Sequence, residues 1–169
     1  MVAVTRQWQW SETALLSGLG CFALLTGVLV YMADRDAARV LLLPGFAALG
    51  IGPLFGVLGG WLPSFVHPFT FSLFSAAALP PSRSPAYGAC AAWWIVNVAF
   101  EAGQHARLSA GVAESLQLVL GRSGQTQALA NFFLLGTFDV GDIVAATAGA
   151  GAAAGVLYLM HRRQTRHAH

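Results

Sequence analysis

Three polar residues with a common helical spacing lie near the middle of the sequence, in a segment that is otherwise apolar. Asn97, Glu101 and Gln104 are spaced i, i+4 and i+7, and His105 follows directly. On a helix this spacing places the first three side chains on one face. A carboxylate and an imidazole can both transfer protons, and all four side chains can bind polar groups. This segment is therefore the first candidate for a functional site.

Three further residues of these chemical types stand at the beginning of other apolar segments. Asp139 and Asp142 are spaced i, i+3 and share a helical face, and His67 directly precedes Pro68. Simpler interpretations stay open, because an aspartate at a helix start can cap backbone N–H groups, and a histidine can be a membrane-interface residue. The predicted catalytic residues are Glu101, His67 and Asp142; the predicted binding residues are Asn97, Gln104, Asp139 and His105.

The composition is typical of a membrane protein that crosses the bilayer several times. Of 169 residues, 56% are hydrophobic and only 9% are charged, and the mean hydropathy is +0.63. Ordinary soluble domains carry about 25% charged residues. The net charge of +2 is too small and too dispersed for a nucleic-acid-binding surface. We therefore expect one integral membrane domain over residues 1–169, without a nucleic-acid partner.

The cysteines and histidines give no sign of a metal or a cofactor. Cys21 and Cys90 each lie within an apolar segment, and the sequence contains no CxxC or Cys/His pair. The candidate histidines and carboxylates are of metal-ligand types, but their spacing matches no metal-binding motif. No metal site and no cofactor are therefore predicted.

Five apolar segments have lengths that suggest membrane spans, for which about 20 residues are needed. The fourth is short: residues 86–100 cover about 22 Å, less than the ~30 Å hydrocarbon core, so its helix must continue through Glu101. A turn over residues 62–68 separates the second span from the third and contains His67. The predicted spans are residues 13–33, 40–61, 65–79, 86–104 and 138–160, followed by a basic tail at 161–169.

The segment between the fourth and fifth spans is more polar and has an amphipathic pattern. Leu108, Val112 and Leu116 recur at helical spacing opposite Ser109 and Glu114. Such a pattern favours a helix that lies in the membrane interface. The predicted fold is therefore an all-α membrane protein with about five transmembrane helices and an interfacial amphipathic helix between the fourth and the fifth.

The arginine distribution predicts the orientation of the five spans. With the N-terminus outside, six arginines lie on the cytoplasmic side and three lie outside, which the positive-inside rule favours. Five spans place the two termini on opposite sides, so the C-terminus is expected in the cytoplasm. Helix alternation then brings five of the candidates to the outer side and predicts a polar pocket there. These five are His67, Glu101, Gln104, Asp139 and Asp142.

Three short stretches resemble the VanZ-like family of small bacterial membrane proteins. They are "VHPFTFSLF" with His67, "FEAGQ" with Glu101 and Gln104, and "FDVGDIVAATAGAGAAAG" with Asp142. The resemblance covers about residues 62 to 157. The Asp-Lys and the Arg of the family pattern are missing, and Ala146 stands where Asn is expected. The resemblance implies a helical membrane protein linked to envelope chemistry and, through the family's namesake, to glycopeptide antibiotic resistance of the teicoplanin type.

Two functions follow from these features as hypotheses. The first is an envelope protein of the bacterial cytoplasmic membrane whose outer pocket binds or processes the headgroup of a lipid or a cell-wall precursor. The alternative is a non-enzymatic accessory subunit of a membrane complex, which contacts partner subunits through the small-residue face at Gly151 and Gly155. A small transporter is a third, less favoured possibility, because no inverted repeat is evident. Membrane lipids are partners in each case, and whether the protein is an enzyme is left open.

Overall fold

The computed structural model describes residues 2–34, 55–80 and 82–167, and all regular structure in these ranges is helical. The prediction of an all-α protein is therefore confirmed. Residues 40–54 of the predicted second span lie outside the described residues, and the last residues of that span belong to the second helix. The helices are α1 (Val2–Asp34), α2 (Val57–Ala78), α3 (Arg83–Gly103), α4 (Ser109–Leu120), α5 (Gly124–Leu135) and α6 (Val140–His167).

Two of the described helices are long and apolar enough to cross a membrane. The candidate spans are Ser11–Tyr31 in α1 and Val140–Arg163 in α6, with mean hydropathies of 2.0 and 1.8. Only 22% of each span is buried inside the protein, so most of this apolar surface faces outward. A helix in the core of a soluble protein would bury most of it. The two helices thus fit a membrane location, while the number of five spans stays a prediction.

Helices α1 and α2 pack against each other in opposite directions. A Cβ atom at Gly20 would lie 2.5 Å from the Phe74 ring, and one at Gly27 would lie 3.0 Å from Val66. The hydroxyl of Thr70 donates to the Gly20 carbonyl over 3.4 Å. Gly27, the later glycine of α1, thus contacts Val66, the earlier residue of α2. The two helices are therefore antiparallel.

Helix α6 runs parallel to α2 and antiparallel to α3. The indole N–H of Trp94 in α3 donates to the Thr147 hydroxyl in α6 over 2.9 Å. Further along, the rings of Tyr87 and His161 lie 6.2 Å apart. At that end Leu16 of α1 joins the same buried cluster as Leu157 of α6. The N-terminal half of α1 and the C-terminal half of α6 therefore lie at one end of the bundle, while the number of spans and the sides of the membrane stay predictions.

The predicted turn over residues 62–68 is wrong, because this segment lies inside α2. Pro63 and Pro68 are both within the helix. Each proline removes one backbone hydrogen bond, but Pro68 is fully buried among neighbouring helices, and this packing offsets the loss. His67 consequently lies in the middle of α2, and the predicted third span corresponds to the later part of this helix.

The segment between the predicted fourth and fifth spans contains two short helices, α4 and α5, joined by a turn, and the predicted amphipathic helix corresponds to α4. Gly121 ends α4 with a φ of 75°, a conformation that residues other than glycine rarely adopt. The stretch "NFFLL" is the end of α5. There Phe133 packs on α3, at 5.5 Å between its ring and that of Phe100. The hairpin of α4 and α5 is thereby fixed to the end of α3.

We predict that Gly149→Ala destabilises the bundle whereas Gly151→Ala does not. A Cβ atom at Gly149 would overlap the carbonyl oxygen of Phe65, while one at Gly151 would meet no atom within 4 Å. Overpacking of this kind costs about 1–3 kcal/mol, and alanine in an open helical position stabilises by up to about 1 kcal/mol. Thermal unfolding of both variants in detergent, followed by circular dichroism, measures the difference. Equal midpoints would contradict the close approach of α2 and α6.

Candidate functional site

Three carboxylates lie together at the end of the bundle opposite to the start of α1 and the end of α6. We call Glu101, Asp139 and Asp142 the acidic cluster. Glu101 is near the end of α3, which continues to Gly103, as the length of the fourth apolar segment predicted. Its side chain is only 9% exposed, and its Oε1 accepts a hydrogen bond of 2.5 Å from the backbone N–H of Asp139. This bond joins the end of α3 to the beginning of α6.

Asp139 is the capping residue of α6. Its Oδ1 accepts a hydrogen bond of 2.7 Å from the backbone N–H of Gly141, in the first turn of the helix. A carboxylate in this position satisfies an N–H group that has no partner within the helix, and it also interacts favourably with the helix dipole. Its Oδ2 lies 3.4 Å from the indole nitrogen of Trp61, which donates to it. The simpler interpretation of Asp139 as a helix cap is therefore confirmed.

Asp142 connects α6 to α2 through a side-chain hydrogen bond. Its Oδ1 accepts from the hydroxyl of Ser64 over 2.7 Å, and both side chains are partly buried. Trp61 and Ser64 are three residues apart on α2 and so lie on neighbouring positions of one face. Sequence reasoning missed both residues, because it assigned Trp61 to the end of one span and Ser64 to a turn. Their i, i+3 spacing would have been the signal if α2 had been recognised as continuous.

Two glycines allow polar side chains to approach the cluster. A Cβ atom at Gly141 would overlap the indole nitrogen of Trp61, and one at Gly136 would overlap the amide oxygen of Gln104. Gln104 therefore lies against the segment that leads from α5 into α6. The ring of His105 contacts Phe138 in the same segment, with 5.4 Å between the ring centroids. Gln104 and His105 thus lie at the same end of the bundle as the acidic cluster.

His67 and Asn97 make no hydrogen bond to the acidic cluster within the part of the chain that the structure describes. The amide of Asn97 donates to the carbonyl of Trp93 over 2.8 Å, one turn back in its own helix. The ring of His67 is exposed, and its centroid is 6.0 Å from that of Phe71. Phe71 in turn stacks on Trp93 at 4.8 Å. The histidine thus belongs to the aromatic contacts between α2 and α3.

The acidic cluster has unused hydrogen-bond acceptors. One carboxylate oxygen of Glu101 and one of Asp142 have no partner among the described residues, and no arginine there lies within salt-bridge distance of them. In the same residues no group of three or more His, Cys, Asp or Glu side chains could hold a metal ion. Carboxylate oxygens only accept hydrogen bonds, so this end of the bundle is suited to a group that donates N–H or O–H.

Comparisons with known protein families, with curated proteins and with solved structures give no match. The acidic cluster is the strongest candidate site among the described residues, because three helices and the segment before α6 meet there.

We predict that Glu101→Gln preserves the stability of the bundle whereas Glu101→Leu lowers it. The glutamine amide retains an oxygen that can accept the Asp139 N–H, and leucine leaves this N–H without a partner. Loss of a hydrogen bond to a charged group costs about 1.5–3 kcal/mol. Thermal unfolding in detergent reports the stability, and hydrogen exchange of the Asp139 amide reports the bond itself. If glutamine is as damaging as leucine, the bond from Asp139 is not what makes Glu101 necessary.

Proposed function

We propose that this chain is a VanZ-like membrane protein of the bacterial envelope whose acidic cluster binds the polar headgroup of a lipid or a lipid-linked cell-wall precursor. One observation carries the proposal: Glu101 bonds to the Asp139 N–H through one carboxylate oxygen, while its other oxygen has no partner among the described residues and is not among their buried atoms. Such an oxygen can accept a hydrogen bond from a ligand.

The chemistry of the cluster selects the kind of headgroup. Three carboxylates close together attract positive charge and repel a phosphate. The ammonium group of an aminolipid combines a positive charge with N–H donors, and the sugar hydroxyls of a precursor supply O–H donors. Both groups match Glu101 and Asp142, each of which offers one free oxygen. The headgroup is thus expected to bind through its amine or hydroxyls, with its phosphate turned away from the cluster.

Exposed apolar side chains on α1 and α6 support the access of lipid to this end of the bundle. Phe22 and Leu29 are exposed on α1, and Val144 and Leu159 are exposed on α6. Contact of such surface with acyl chains is favourable by roughly 25 cal/mol per Å² of apolar area removed from water. Val144 is only two residues beyond Asp142, so lipid around α6 lies close to the acidic cluster.

The orientation that we propose puts the cluster outside the cell and both chain termini in the cytoplasm. The helix directions bring the N-terminal half of α1 to the same end as the basic tail. Arg162 and Arg163 are the last residues of the α6 span and Arg166 follows in the sequence, which favours the cytoplasm for that end. This orientation agrees with the predicted cytoplasmic C-terminus. It differs from the prediction for the N-terminus, which was expected outside the cell.

Catalysis is a separate hypothesis that builds on the same site. Glu101 and Asp142 are adjacent to the proposed headgroup position and could exchange protons with a bound amine or hydroxyl. His67 would have to act from the middle of α2, away from the hydrogen-bonded cluster. Binding therefore requires fewer assumptions than reaction, and it is the function that we put forward.

A second candidate function, an accessory subunit of a membrane complex, is favoured by the surface of α6. Gly151 and Gly155 are exposed, and Cβ atoms at both positions would meet no atom within 4 Å among the described residues. They are four residues apart and form a smooth face against which another helix could pack closely. In this case the acidic cluster would serve to hold α2, α3 and α6 together.

The two candidate functions predict that different molecules stay bound to the purified protein. Native mass spectrometry can identify these molecules by their mass. For headgroup binding, we expect phosphatidylethanolamine to bind more tightly than phosphatidylcholine, because only the former has N–H donors. Glu101→Gln and Asp142→Asn should each weaken ethanolamine-lipid binding about tenfold, which corresponds to about 1.4 kcal/mol. Glu114→Gln is the matched control, since Glu114 is exposed on α4. Equal binding of both lipids to all variants would contradict the proposal.

In the same preparation, an accessory subunit would keep a stoichiometric protein partner in mild detergent. The substitutions Gly151→Leu and Gly155→Leu should release this partner. Gly18→Leu on α1 should not, although a Cβ atom at Gly18 also meets no atom within 4 Å among the described residues. A lone chain without a partner would argue against this second candidate and leave the lipid result unaffected.

The proposed orientation predicts which end of the bundle reacts with a membrane-impermeant maleimide in intact cells. Single cysteines are introduced at Thr137 near the cluster and at Ser84 near the opposite end, both exposed, after replacement of Cys21 and Cys90. We expect labelling of Thr137→Cys in intact cells and of Ser84→Cys only after permeabilisation. The reverse pattern would put the acidic cluster in the cytoplasm.

A further inference from the structure

Helices α4 and α5 form an antiparallel hairpin with a defined tip. The amide of Gln117 donates to that of Gln127 over 3.2 Å, which pairs the two helices near the turn. Within the turn, the Ser123 hydroxyl accepts the backbone N–H of Thr126 over 3.1 Å and caps α5. Gly121 supplies the positive φ that reverses the chain. The turn is therefore held in place by its own hydrogen bonds.

The tip exposes three consecutive apolar side chains. Leu118, Val119 and Leu120 are 83%, 78% and 58% exposed. One turn earlier on α4, the exposed residues are Glu114 and Ser115, which are polar. The exposed side chains thus change from polar to apolar toward the end of α4. Contiguous exposed apolar surface of this kind marks contact with a partner or with lipid.

The base of the hairpin fixes how far the tip can lie from the bundle. A Cβ atom at Gly103 would be 2.7 Å from the Phe133 ring, so α5 packs tightly against the end of α3. Each hairpin helix has 12 residues and is about 18 Å long. The tip therefore stays within about 18 Å of the end of α3. This end of α3 is next to Val140, where the α6 span begins.

We infer that the hairpin tip, Leu118–Leu120 with Arg122, is a lipid-binding surface that enters the headgroup boundary of the bilayer beside the bundle. A helix of 12 residues is too short to cross the hydrocarbon core, which needs about 20. Arg122 is exposed two residues beyond Leu120, and its guanidinium pairs with lipid phosphates while the apolar side chains contact acyl chains. Apolar contact and charge complementarity both select phospholipid as the occupant.

This surface is distinct from the acidic cluster in position and in charge. The cluster attracts ammonium or hydroxyl donors, and the tip attracts phosphate. The inference holds whether or not the cluster binds a headgroup, so the two proposals fail independently.

Nitroxide labels on the full-length protein in vesicles of phosphatidylethanolamine and phosphatidylglycerol test this inference. Single cysteines at Leu118, Val119 and Ser115 are made after replacement of Cys21 and Cys90. Collision with oxygen, which is enriched in lipid, is compared with collision with a water-soluble nickel chelate. We expect the oxygen-to-chelate ratio at Leu118 and Val119 to be severalfold higher than at Ser115, the matched site one turn away.

Two outcomes would overturn the inference. Equal ratios at the three sites would show that the tip is in water, and low collision with both reagents at Leu118 and Val119 would show that protein covers it. Arg122→Glu tests the phosphate contact separately, because a carboxylate is repelled by phosphate. We expect this substitution to lower the oxygen-to-chelate ratio at Val119. An unchanged ratio would show that Arg122 is not part of the lipid-binding surface.

Discussion

The close approach of α2 and α6 is the constraint on which the site depends. The Phe65 carbonyl occupies the space where a side chain at residue 149 would begin. Only a glycine at that position lets the two backbones come so near. At this separation a hydroxyl as short as that of Ser64 reaches Asp142, and the indole of Trp61 reaches Asp139. A wider spacing would leave both aspartates without their partners from α2.

The acidic cluster contains one buried carboxylate, Glu101, beside the partly buried Asp142 and the exposed Asp139. Each carboxylate has at least one hydrogen bond from an N–H or O–H group, which offsets part of the cost of removing it from water. Asp139 accepts hydrogen bonds through both oxygens. Among the described residues, Glu101 and Asp142 each accept one through a single oxygen, and these bonds join the start of α6 to α3 and α2.

Sequence reasoning found most of this cluster but not its neighbours on α2. The apolar length of the fourth segment required the helix to include Glu101, and the i, i+3 spacing of Asp139 and Asp142 identified the start of the last helix. Trp61 and Ser64 were missed because Pro63 and Pro68 suggested a turn. Local preferences disfavour a proline inside a helix by about 3 kcal/mol, and burial among neighbouring helices overrode them here.

What the sequence by itself determined is the helical class, the apolar character and the polar residues near helix ends, because these follow from composition and from periodicity along one segment. Only the tertiary structure decided the directions of the helices, the place of His67 in the middle of α2 and the glycines at which backbones meet. Such features depend on contacts between residues far apart in the chain, such as Gly149 with Phe65 and Asp139 with Glu101. Spacing within one segment carries no information about those contacts.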